Sequence, residues 1–549
     1  MPHSRADSLS PTRNNETLPF VHDVLIIGAG PCGLAVAARL REQTPSALFT
    51  DEEHHRYHWI NKHSAHSQIK NSRTGATRPL QSSKCGTSAL SDCSMLVLDA
   101  EGNQWLSKWN RLFKQLEISH LRSPMFFHPD PRDRDGLLAF AHWKGREAEC
   151  IEIGGCVGKE VSKHQMKKRR KGGKAAITID ERERKDYFIP PSDLFKEYCE
   201  WIAKRYDLLD EHLILKAKVE EMDFDFVEDL SSDERLFTIK AAGEKGGEKF
   251  YARSVVLAVG AGNAPEVPRP FPQKGCPHAC HAFQPLDGVL KEMRRANVLV
   301  IGGGLTSAQI ADRAIRKGDH RVWQFMRGPM KVKPFDVDLS WMGKFRNHEK
   351  ASFWSADTDE ERSELVKSAR GGGSITPRFA KISERHVRAG RLSIHTHTTV
   401  HSASFSPITR TWAITTSPPV PALPPIDFIY FATGVQSEIQ TLPYLKPILE
   451  KFPVESYEGL PALTDDLMWS EDVPLFVTGK FAALRLGPGA GNLEGARLGA
   501  ERISWGMQEV FPEVKDGTLY GEVVERKGRR ERRRYVAGIG SRFEALAGI

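Results

Sequence analysis

Glycines near the start of the chain are spaced as in loops that bind a dinucleotide pyrophosphate. Gly28, Gly30 and Gly33 form a G-x-G-x-x-G pattern. The first glycine allows a tight turn, the second lets a pyrophosphate approach the backbone, and the third lets a helix pack on a strand. The N-terminus of that helix would face the phosphates with its partial positive charge. A glycine turn in an unrelated α/β domain could carry the same letters, so the neighbouring elements decide.

Those neighbouring elements favour a nucleotide site. The apolar run Val24–Ile27 is typical of a buried parallel strand, and Pro31–Arg41 has helical spacing. We predict a second strand over 47–50, followed by acids. Asp51 lies 18 residues after the last glycine of the motif, so we expect it to bind the ribose hydroxyls, with Glu52 as the near alternative.

A second motif lies 274 residues further along the chain. Gly302, Gly304 and Ser307 form a G-x-G-x-x-S pattern between an apolar strand and a helical stretch. The next predicted strand, 321–326, leads to Arg327 and not to an acid. A guanidinium can pair with a 2′-phosphate that a carboxylate would repel, so Arg327 predicts NADPH over NADH. The alternative is a solvated cluster of bases at 327–333.

Two unlike sites indicate two different dinucleotides, and the usual pair is FAD with a nicotinamide. The alternation of strands and helices predicts an α/β fold with two Rossmann-like dinucleotide-binding domains, the NADP domain inserted in the FAD domain. The predicted organisation is a disordered N-terminus (1–20), the first part of an FAD-binding domain (21–285) with a charged insertion (145–186), an NADPH-binding domain (286–425), the second part of the FAD-binding domain (426–515) and a charged tail (516–549).

Charge is unevenly distributed. The net charge is +8, yet Lys163–Lys174 contributes +7 and the segment 525–534 contributes +5, so the remainder carries 8 − 12 = −4. This argues against a basic nucleic-acid-binding face. We predict no membrane span, since no run of about 18 apolar residues occurs. The eight cysteines are irregularly spaced, which favours reduced thiols in the cytoplasm. Lys163–Lys174 is either a solvated loop or a nuclear signal.

Cysteine chemistry is a weaker alternative. A flavin disulfide reductase needs two cysteines a few residues apart beside the flavin, whereas Cys32 stands alone in the first glycine motif. The ligand-type residues of Cys276–His281 are too closely spaced for an ordinary zinc site, so we expect no metal. A bend that brings His281 toward the cofactors is the preferred interpretation of that segment.

Together these motifs resemble those of a known family. Gly28–Gly33 and Gly302–Ser307 are similar to the FAD and NADPH motifs of two-dinucleotide flavoprotein monooxygenases, a group that includes flavin-containing, N-hydroxylating ornithine and lysine, and Baeyer–Villiger enzymes. Asp427–Gly434 is similar to their D-x-x-x-[LF]-A-T-G-Y signature, Val255–Gly260 to their earlier domain crossing, and Trp105–Pro124 to a segment of N-monooxygenase-like flavoproteins. Oxidative-stress-induced growth inhibitor proteins share this plan. The resemblance spans residues 22–505.

The resemblance implies that FAD and NADPH are bound and that one oxygen atom of O2 enters a small-molecule substrate. The terminal Ser307 favours N-hydroxylation, with S-oxidation or Baeyer–Villiger oxidation as alternatives. It also implies that Thr433, Gly434 and Gly479 contact cofactor. The sequence departs from the family at Val435, where a tyrosine is expected, and at Lys480, where many relatives carry an aspartate for the flavin ribityl chain.

Three further groups are candidates for the site. Asn492 ends a glycine-rich loop and is predicted to cap a helix whose N-terminus faces the flavin, unless the loop is only a surface feature. His281 could position NADP⁺ or substrate, and Arg122 could face flavin or substrate; a structural role is the alternative for both. Gly371–Ser374 is either a mobile loop over the site or a linker.

Two other functions fit the same motifs. One is an NADPH oxidase or reductase that passes electrons to a quinone or a protein partner. The other is a low-turnover FAD-binding regulator like the growth inhibitor proteins.

Overall fold

The computed structural model describes residues 19–43, 45–49, 53, 55, 59, 68–70, 77–79, 90, 92–154, 156, 181–228, 230–243, 246–260, 264–273, 275–285, 295–342 and 346–511. The basic run Lys163–Lys174, the predicted tail and nearly all of the predicted disordered N-terminus lie outside this part of the chain. The α-helices are Pro31–Arg41, Ser107–Leu116, Gly136–Trp143, Glu181–Asp186, Ser192–Arg205, Leu305–Lys317, Arg346–Trp354, Asp359–Arg370, Pro377–Arg388, Lys446–Lys451, Ala483–Leu486 and Leu493–Val510.

A seven-stranded sheet forms the first domain. Its strands, in spatial order, are Val21–Ile27, Met95–Asp99, Ile214–Val227, Ser231–Gly243, Gly246–Leu257, Val473–Val477 and Met468–Ser470, and Val21–Ile27 also pairs with Gly246–Leu257. The strands that meet at the nucleotide edge run parallel. Residues 24–27 and 255–257 are buried, as expected for parallel strands covered on both faces. The predicted first strand and the predicted Pro31–Arg41 helix are therefore confirmed.

The helix Pro31–Arg41 is buried beneath the C-terminal helix Leu493–Val510. Residues 33–40 are buried, and the Arg39 guanidinium forms an ion pair with Glu501 on the C-terminal helix. Ion pairing keeps this nearly buried charge from being left uncompensated. The helix that follows the first glycine motif and the helix Leu493–Val510 thus belong to one core.

The second domain contains a five-stranded parallel sheet. Its order is Ala279–His281, Phe428–Phe431, Asn297–Ile301, Arg321–Phe325 and Leu392–His395. The sheet takes a strand from each side of the predicted limits 286–425, so the second domain is larger than predicted. The physical reason is strand pairing. Phe428–Phe431 pairs with Asn297–Ile301, and Ala279–His281 pairs with Phe428–Phe431, so two strands outside the predicted limits complete the sheet.

Two connectors join the domains. Ala264–Pro265 and Val435–Gln436 pair antiparallel, and the N–H of Glu266 donates to the carbonyl of Gly434 at 3.2 Å. The chain therefore leaves the first domain and returns to it through adjacent segments. This arrangement confirms the predicted insertion of one Rossmann-like domain in another.

One predicted strand is wrong. Ala47 and Leu48 form a turn and Phe49 lies outside any strand, while Thr50 lies outside the described residues. The place beside the first strand is taken by Met95–Asp99. Its apolar residues are buried, and burial on both faces is what a central parallel strand requires.

The shorter elements complete the fold. The remaining strand pairs are Gln68–Lys70 with Thr77–Pro79, Ile151–Glu152 with Phe188–Ile189, Thr399–Ser406 with Thr411–Ser417, and Ser456–Tyr457 with Leu460–Pro461. The 3₁₀ turns are Glu147–Glu149, Leu339–Trp341, Ile439–Thr441, Pro443–Leu445 and Gly479–Ala482. Regular secondary structure thus occurs at both ends of the predicted insertion 145–186, with Ile151–Glu152 near its start and Glu181–Asp186 at its end. Among the described residues, no helix has the length and apolarity needed to cross a membrane.

Candidate active site

The first glycine loop leaves its backbone bare where a pyrophosphate would lie. Gly28 has φ +111°, and a β-carbon added there would lie 2.5 Å from the carbonyl oxygen of Ala258. A β-carbon at Gly33 would collide with the carbonyl of Gly28. A β-carbon at Gly30, by contrast, would have nothing within 4 Å. The loop therefore needs glycine for its own packing at two positions and opens to free space at the third, which fits a dinucleotide phosphate.

Asp99 is the acid that the structure places beside this loop. It ends the strand that pairs with the first strand. Its Oδ2 accepts the N–H of Ala29 at 2.8 Å, and its Oδ1 accepts the N–H of Glu101 at 2.8 Å. The acid at the carboxyl end of this neighbouring strand is the one that can reach a ribose. Asp99 is thus a candidate for this role; the predicted Asp51 and Glu52 lie outside the described residues and stay predictions.

The sequence contained a signal for Asp99 that the spacing rule obscured. Met95–Leu98 is an apolar run that ends at an acid, just as the rule asks. It lies 66 residues after Gly33, however, where an acid about 20 residues away is the usual pattern.

The second glycine loop is fixed by side chains that bond to its backbone. A β-carbon at Gly302, where φ is +148°, would collide with the carbonyl of Ala432. The hydroxyl of Ser307 donates to the carbonyl of Gly304 at 2.6 Å. The buried amide of Gln324 donates to Ser307 Oγ at 2.9 Å and to the Gly302 carbonyl at 3.1 Å. Ser307 therefore has a defined local role, and Gln324 is a loop-positioning residue that the sequence motif did not reveal.

Arg327 lies where the second site would need a cation. It follows Arg321–Phe325, whose last residue accepts the N–H of Gly302 at 2.9 Å. Arg327 is exposed and forms no ion pair within the described residues. Lys331 donates to the Gly371 carbonyl at 2.5 Å, and Lys333 pairs with Asp338 at 2.6 Å. Among the described residues, Arg327 is the one of these three cations without a hydrogen-bond or ion-pair partner, so its guanidinium can bind a 2′-phosphate.

Gly371–Ser374 packs directly on the second glycine loop. A β-carbon at Gly373 would lie 3.1 Å from both the Cα and the N of Gly304. Gly371 ends the Asp359–Arg370 helix with φ +62°, a left-handed cap that glycine adopts at low cost. The segment is therefore a packed cover over Gly304 and not a free linker.

Arg122 holds this cover in place. Its guanidinium pairs with Asp336 at 2.6 Å and donates to Ser374 Oγ at 2.8 Å. It also donates to the carbonyls of Lys333, Pro334 and Phe335 at 3.0, 3.3 and 2.8 Å. With its donors directed at protein oxygens, Arg122 is better described as a structural residue than as the catalytic group predicted from sequence.

His281 lies at the carboxyl edge of the second sheet. The strand Ala279–His281 pairs with Phe428–Phe431, which leads into Thr433 and Gly434. His281 is buried, and burial lowers the pKa of its imidazole, so the ring is neutral near pH 7. The Thr433 hydroxyl donates to the carbonyl of Glu266, and a β-carbon at Gly434 would meet nothing within 4 Å. The edge thus combines a neutral histidine with open backbone at the connector.

Gly479 follows the strand Val473–Val477 of the first domain after one residue, and Asn492 precedes the helix Leu493–Val510. Gly479 has φ +76°, and a β-carbon there would lie 3.4 Å from Cys32 Sγ in the first glycine loop. Asn492 occupies the N-cap position of Leu493–Val510 as predicted, but its side chain makes no capping hydrogen bond. Gly479 therefore lies beside the first glycine loop, whereas Asn492 follows Gly491, where an added β-carbon would lie 3.6 Å from the β-carbon of Lys480.

Cysteine and metal chemistry gain no support from these residues. Burial raises the pKa of the Cys32 thiol to about 11, which disfavours the thiolate. Within the part of the chain that the structure describes, no three His, Cys, Asp or Glu side chains are grouped as metal ligands.

The fold and the two loops define a protein with two dinucleotide-binding domains, and comparisons agree with this class. Residues 183–406 match a family model described as L-lysine 6-monooxygenase/L-ornithine 5-monooxygenase. The predicted resemblance to FAD- and NADPH-dependent N-monooxygenases is thereby confirmed. No curated protein matches the sequence significantly.

Solved structures share the fold over most of the chain. Ornithine hydroxylase (PvdA) from Pseudomonas aeruginosa has a TM-score of 0.58 at 15% identity, covering 89% of this chain and 100% of its own. Kutzneria sp. 744 ornithine N-hydroxylase (KtzI), solved with reduced FAD, NADP⁺ and L-ornithine, has a TM-score of 0.57 at 15% identity over 89% and 99%. The cadaverine monooxygenase DfoA from Erwinia amylovora, bound to FAD, has a TM-score of 0.56 at 14% identity over 91% and 98%. The predicted fold class is confirmed.

Proposed function

We propose that this chain is an FAD-dependent, NADPH-using monooxygenase that inserts one oxygen atom from O2 into a small-molecule substrate, with N-hydroxylation the favoured reaction. One observation carries the proposal. Two glycine loops lie at the carboxyl ends of parallel strands in two sheets, one beside the acid Asp99 and the other beside Arg327, which forms no ion pair within the described residues. Unlike partners at equivalent positions suit unlike dinucleotides.

The described residues fit the two cofactors. For FAD, the backbone of Gly28–Gly33 and the N-terminus of Pro31–Arg41 would hold the pyrophosphate, and Asp99 would accept the ribose hydroxyls. For NADPH, the N-terminus of Leu305–Lys317 would face the pyrophosphate beside the Gly373 cover, and Arg327 would pair with the 2′-phosphate. When bound, FAD supplies the two-electron chemistry that activates O2.

In this proposal the protein's side chains position the cofactors and the substrate, and the cofactors carry out the redox chemistry. The neutral His281 is suited to donate a hydrogen bond to a carboxamide oxygen at the connector, because its Nδ1 accepts the N–H of Phe283 at 3.3 Å and Nε2 is left as the donor. Gly434 leaves the backbone beside it open.

N-hydroxylation is favoured by two findings. The family whose model matches residues 183–406 is named for lysine and ornithine monooxygenases. The similar solved structures are an ornithine hydroxylase, a cadaverine monooxygenase and an ornithine N-hydroxylase. Primary amines are therefore the first substrates to test, ahead of thioethers and ketones.

The test is a substrate screen with purified protein. NADPH oxidation is measured with added FAD and with primary amines, thioethers or ketones, and products are examined by mass spectrometry for one added oxygen atom. The proposal expects an amine to stimulate NADPH oxidation and to gain one oxygen. A protein that takes up no FAD, or that oxidises NADPH only to form peroxide with every substrate, contradicts it. The second outcome would favour the oxidase, and negligible NADPH consumption by the FAD-bound protein would favour the regulator.

A cytoplasmic location is part of the same proposal, and entry into the nucleus through Lys163–Lys174 is its alternative. Imaging of the tagged full-length chain, with and without that run, distinguishes the two.

A further inference from the structure

Lys480 lies next to the first glycine loop, since a β-carbon on the preceding Gly479 would lie 3.4 Å from Cys32 Sγ of that loop. It follows Gly479 directly, at the carboxyl end of Val473–Val477. That strand pairs with Gly246–Leu257, which in turn pairs with the strand before the first glycine loop. Because carboxyl ends of parallel strands share one edge, Lys480 lies on the same edge as the pyrophosphate site.

The side chain of Lys480 is half-buried and packs on the glycine-rich loop before Leu493–Val510. A β-carbon at Gly491 would lie 3.6 Å from the β-carbon of Lys480 and 3.9 Å from its γ-carbon. The loop is thus in contact with the lysine stem. The N-terminus of an 18-residue helix follows this loop and adds partial positive charge to the same place.

No carboxylate compensates Lys480 within the described residues. The nearest acid of the following helix, Glu494, already pairs with Lys350 at 3.2 Å. The charged group that acts on Lys480 is a second cation, Arg370, which donates to the Pro488 carbonyl at 2.9 Å and pairs with Asp336 only at 3.7 Å. Burial and this guanidinium lower the pKa of the Lys480 ammonium. A half-buried cation beside another cation is a place where an anion is stabilised.

We propose that Lys480 is an electrostatic positioning residue that stabilises the negative charge of the reduced flavin, with Arg370 and the N-terminus of Leu493–Val510 contributing to the same positive region. The proposal rests on the FAD-binding part of the proposed function. NADPH transfers a hydride, which is two electrons and one proton, and leaves as NADP⁺. The flavin accepts that hydride and gains one negative charge, so charge and electrons balance without another reactant. A cation near the ring favours the reduced form over the neutral oxidised form.

The experiment measures binding and redox equilibrium, not turnover. Full-length wild type and Lys480→Met are loaded with FAD, the dissociation constant of oxidised FAD is determined, and the midpoint potential is measured by equilibration with a reference dye. We expect Lys480→Met to lower the preference for reduced over oxidised flavin about tenfold, which moves the potential about 30 mV more negative for a two-electron couple. Binding of oxidised FAD should change by less than about threefold, since that ring is neutral.

Matched variants identify the cause. Lys480→Arg keeps the charge and should keep the wild-type potential. Lys451→Met removes a lysine that pairs with Asp223 on the strand Ile214–Val227, and it should also keep the wild-type potential. If Lys480→Met does not fold, Lys480→Gln also removes the charge and should show the same shift of the midpoint potential. An unchanged potential with FAD bound overturns the proposal. Equal weakening of both redox forms also overturns it, since Lys480 would then contact a group charged in both states, such as a phosphate. Wild type that binds no FAD would instead refute the proposed function.

Discussion

The two glycine loops have nearly the same local design but differ in what lies in front of them. In each, the first glycine has a positive φ and its missing β-carbon makes room for a carbonyl, that of Ala258 or of Ala432. In the first loop, Gly30 faces free space. In the second, the corresponding Gly304 has the backbone of Gly373 against it. The first site is therefore open as folded, while the second is formed jointly with a neighbouring loop.

The supports of the two loops explain the difference. Ala29 of the first loop is held on both sides by its own domain, since its N–H donates to Asp99 at 2.8 Å and its carbonyl accepts the N–H of Leu106 at 2.7 Å. The cover of the second loop depends on Arg122, a residue of the first domain, through Ser374. We infer that the first glycine loop is supported from within its own domain, whereas support of the second loop depends on the contact between the two domains.

The largest expected effect comes from filling the open space at Gly30. Its backbone is extended, with φ −79°, so Gly30→Leu should fold. The side chain would occupy the pyrophosphate position and weaken FAD binding by more than about 100-fold, since phosphates need direct access to the backbone. Flavin absorbance after gel filtration and circular dichroism measure binding and fold. Gly154→Leu, at an exposed glycine with open space, is the control; retention of FAD by Gly30→Leu would refute the assignment.

Removing the free cation of the second site should have the next largest effect. Arg327→Ala should weaken NADPH about 10- to 100-fold and NADH little, because a charge-assisted hydrogen bond to the 2′-phosphate contributes about 1.5–3 kcal/mol. Titration of flavin-bound protein with each nucleotide gives the two constants. Arg321→Ala, at the opposite end of the same strand, should change neither. An equal loss for both nucleotides would contradict the phosphate assignment.

Crowding the cover of the second loop tests the comparison more directly. Gly373→Ala places a methyl group 3.1 Å from the backbone of Gly304. Overpacking of this kind costs about 1–3 kcal/mol, so NADPH and NADH should both weaken about tenfold while FAD binding is unchanged. Isothermal titration measures all three, with Gly247→Ala as a control at an open position. A loss of FAD in Gly373→Ala would show that the two sites are not separately supported.

The smallest effect is expected beyond both sites. Deletion of residues 525–549 should leave FAD and NADPH binding as in wild type, because the segment follows every nucleotide motif in the sequence. Flavin content and nucleotide titration of the truncated protein measure this. A flavin-free product would mean that the tail supports the first domain.

Much of the fold was predictable because its signals are local. Strand, glycine turn and helix are adjacent in sequence at both motifs, so Pro31–Arg41 and the strand before it could be placed from apolar periodicity and glycine spacing alone. The same holds for Arg327, which follows its strand directly.

Three features could not be read in this way. The acid beside the first loop depends on which strand pairs with Val21–Ile27, and a long stretch of chain separates that strand from the glycines. The cover at Gly373 and the role of Arg122 depend on contacts between segments about 70 and 250 residues apart.

The sequence by itself determined that two glycine loops exist, each between a parallel strand and a helix, in two nucleotide-binding units, because each loop is specified by steric rules that act within a few residues. Only the tertiary structure decided that Asp99 borders the first loop, that Gly373 covers the second and that no carboxylate among the described residues pairs with Lys480. Those outcomes follow from strand pairing and domain contact, and these depend on which buried surfaces fit together and not on local spacing.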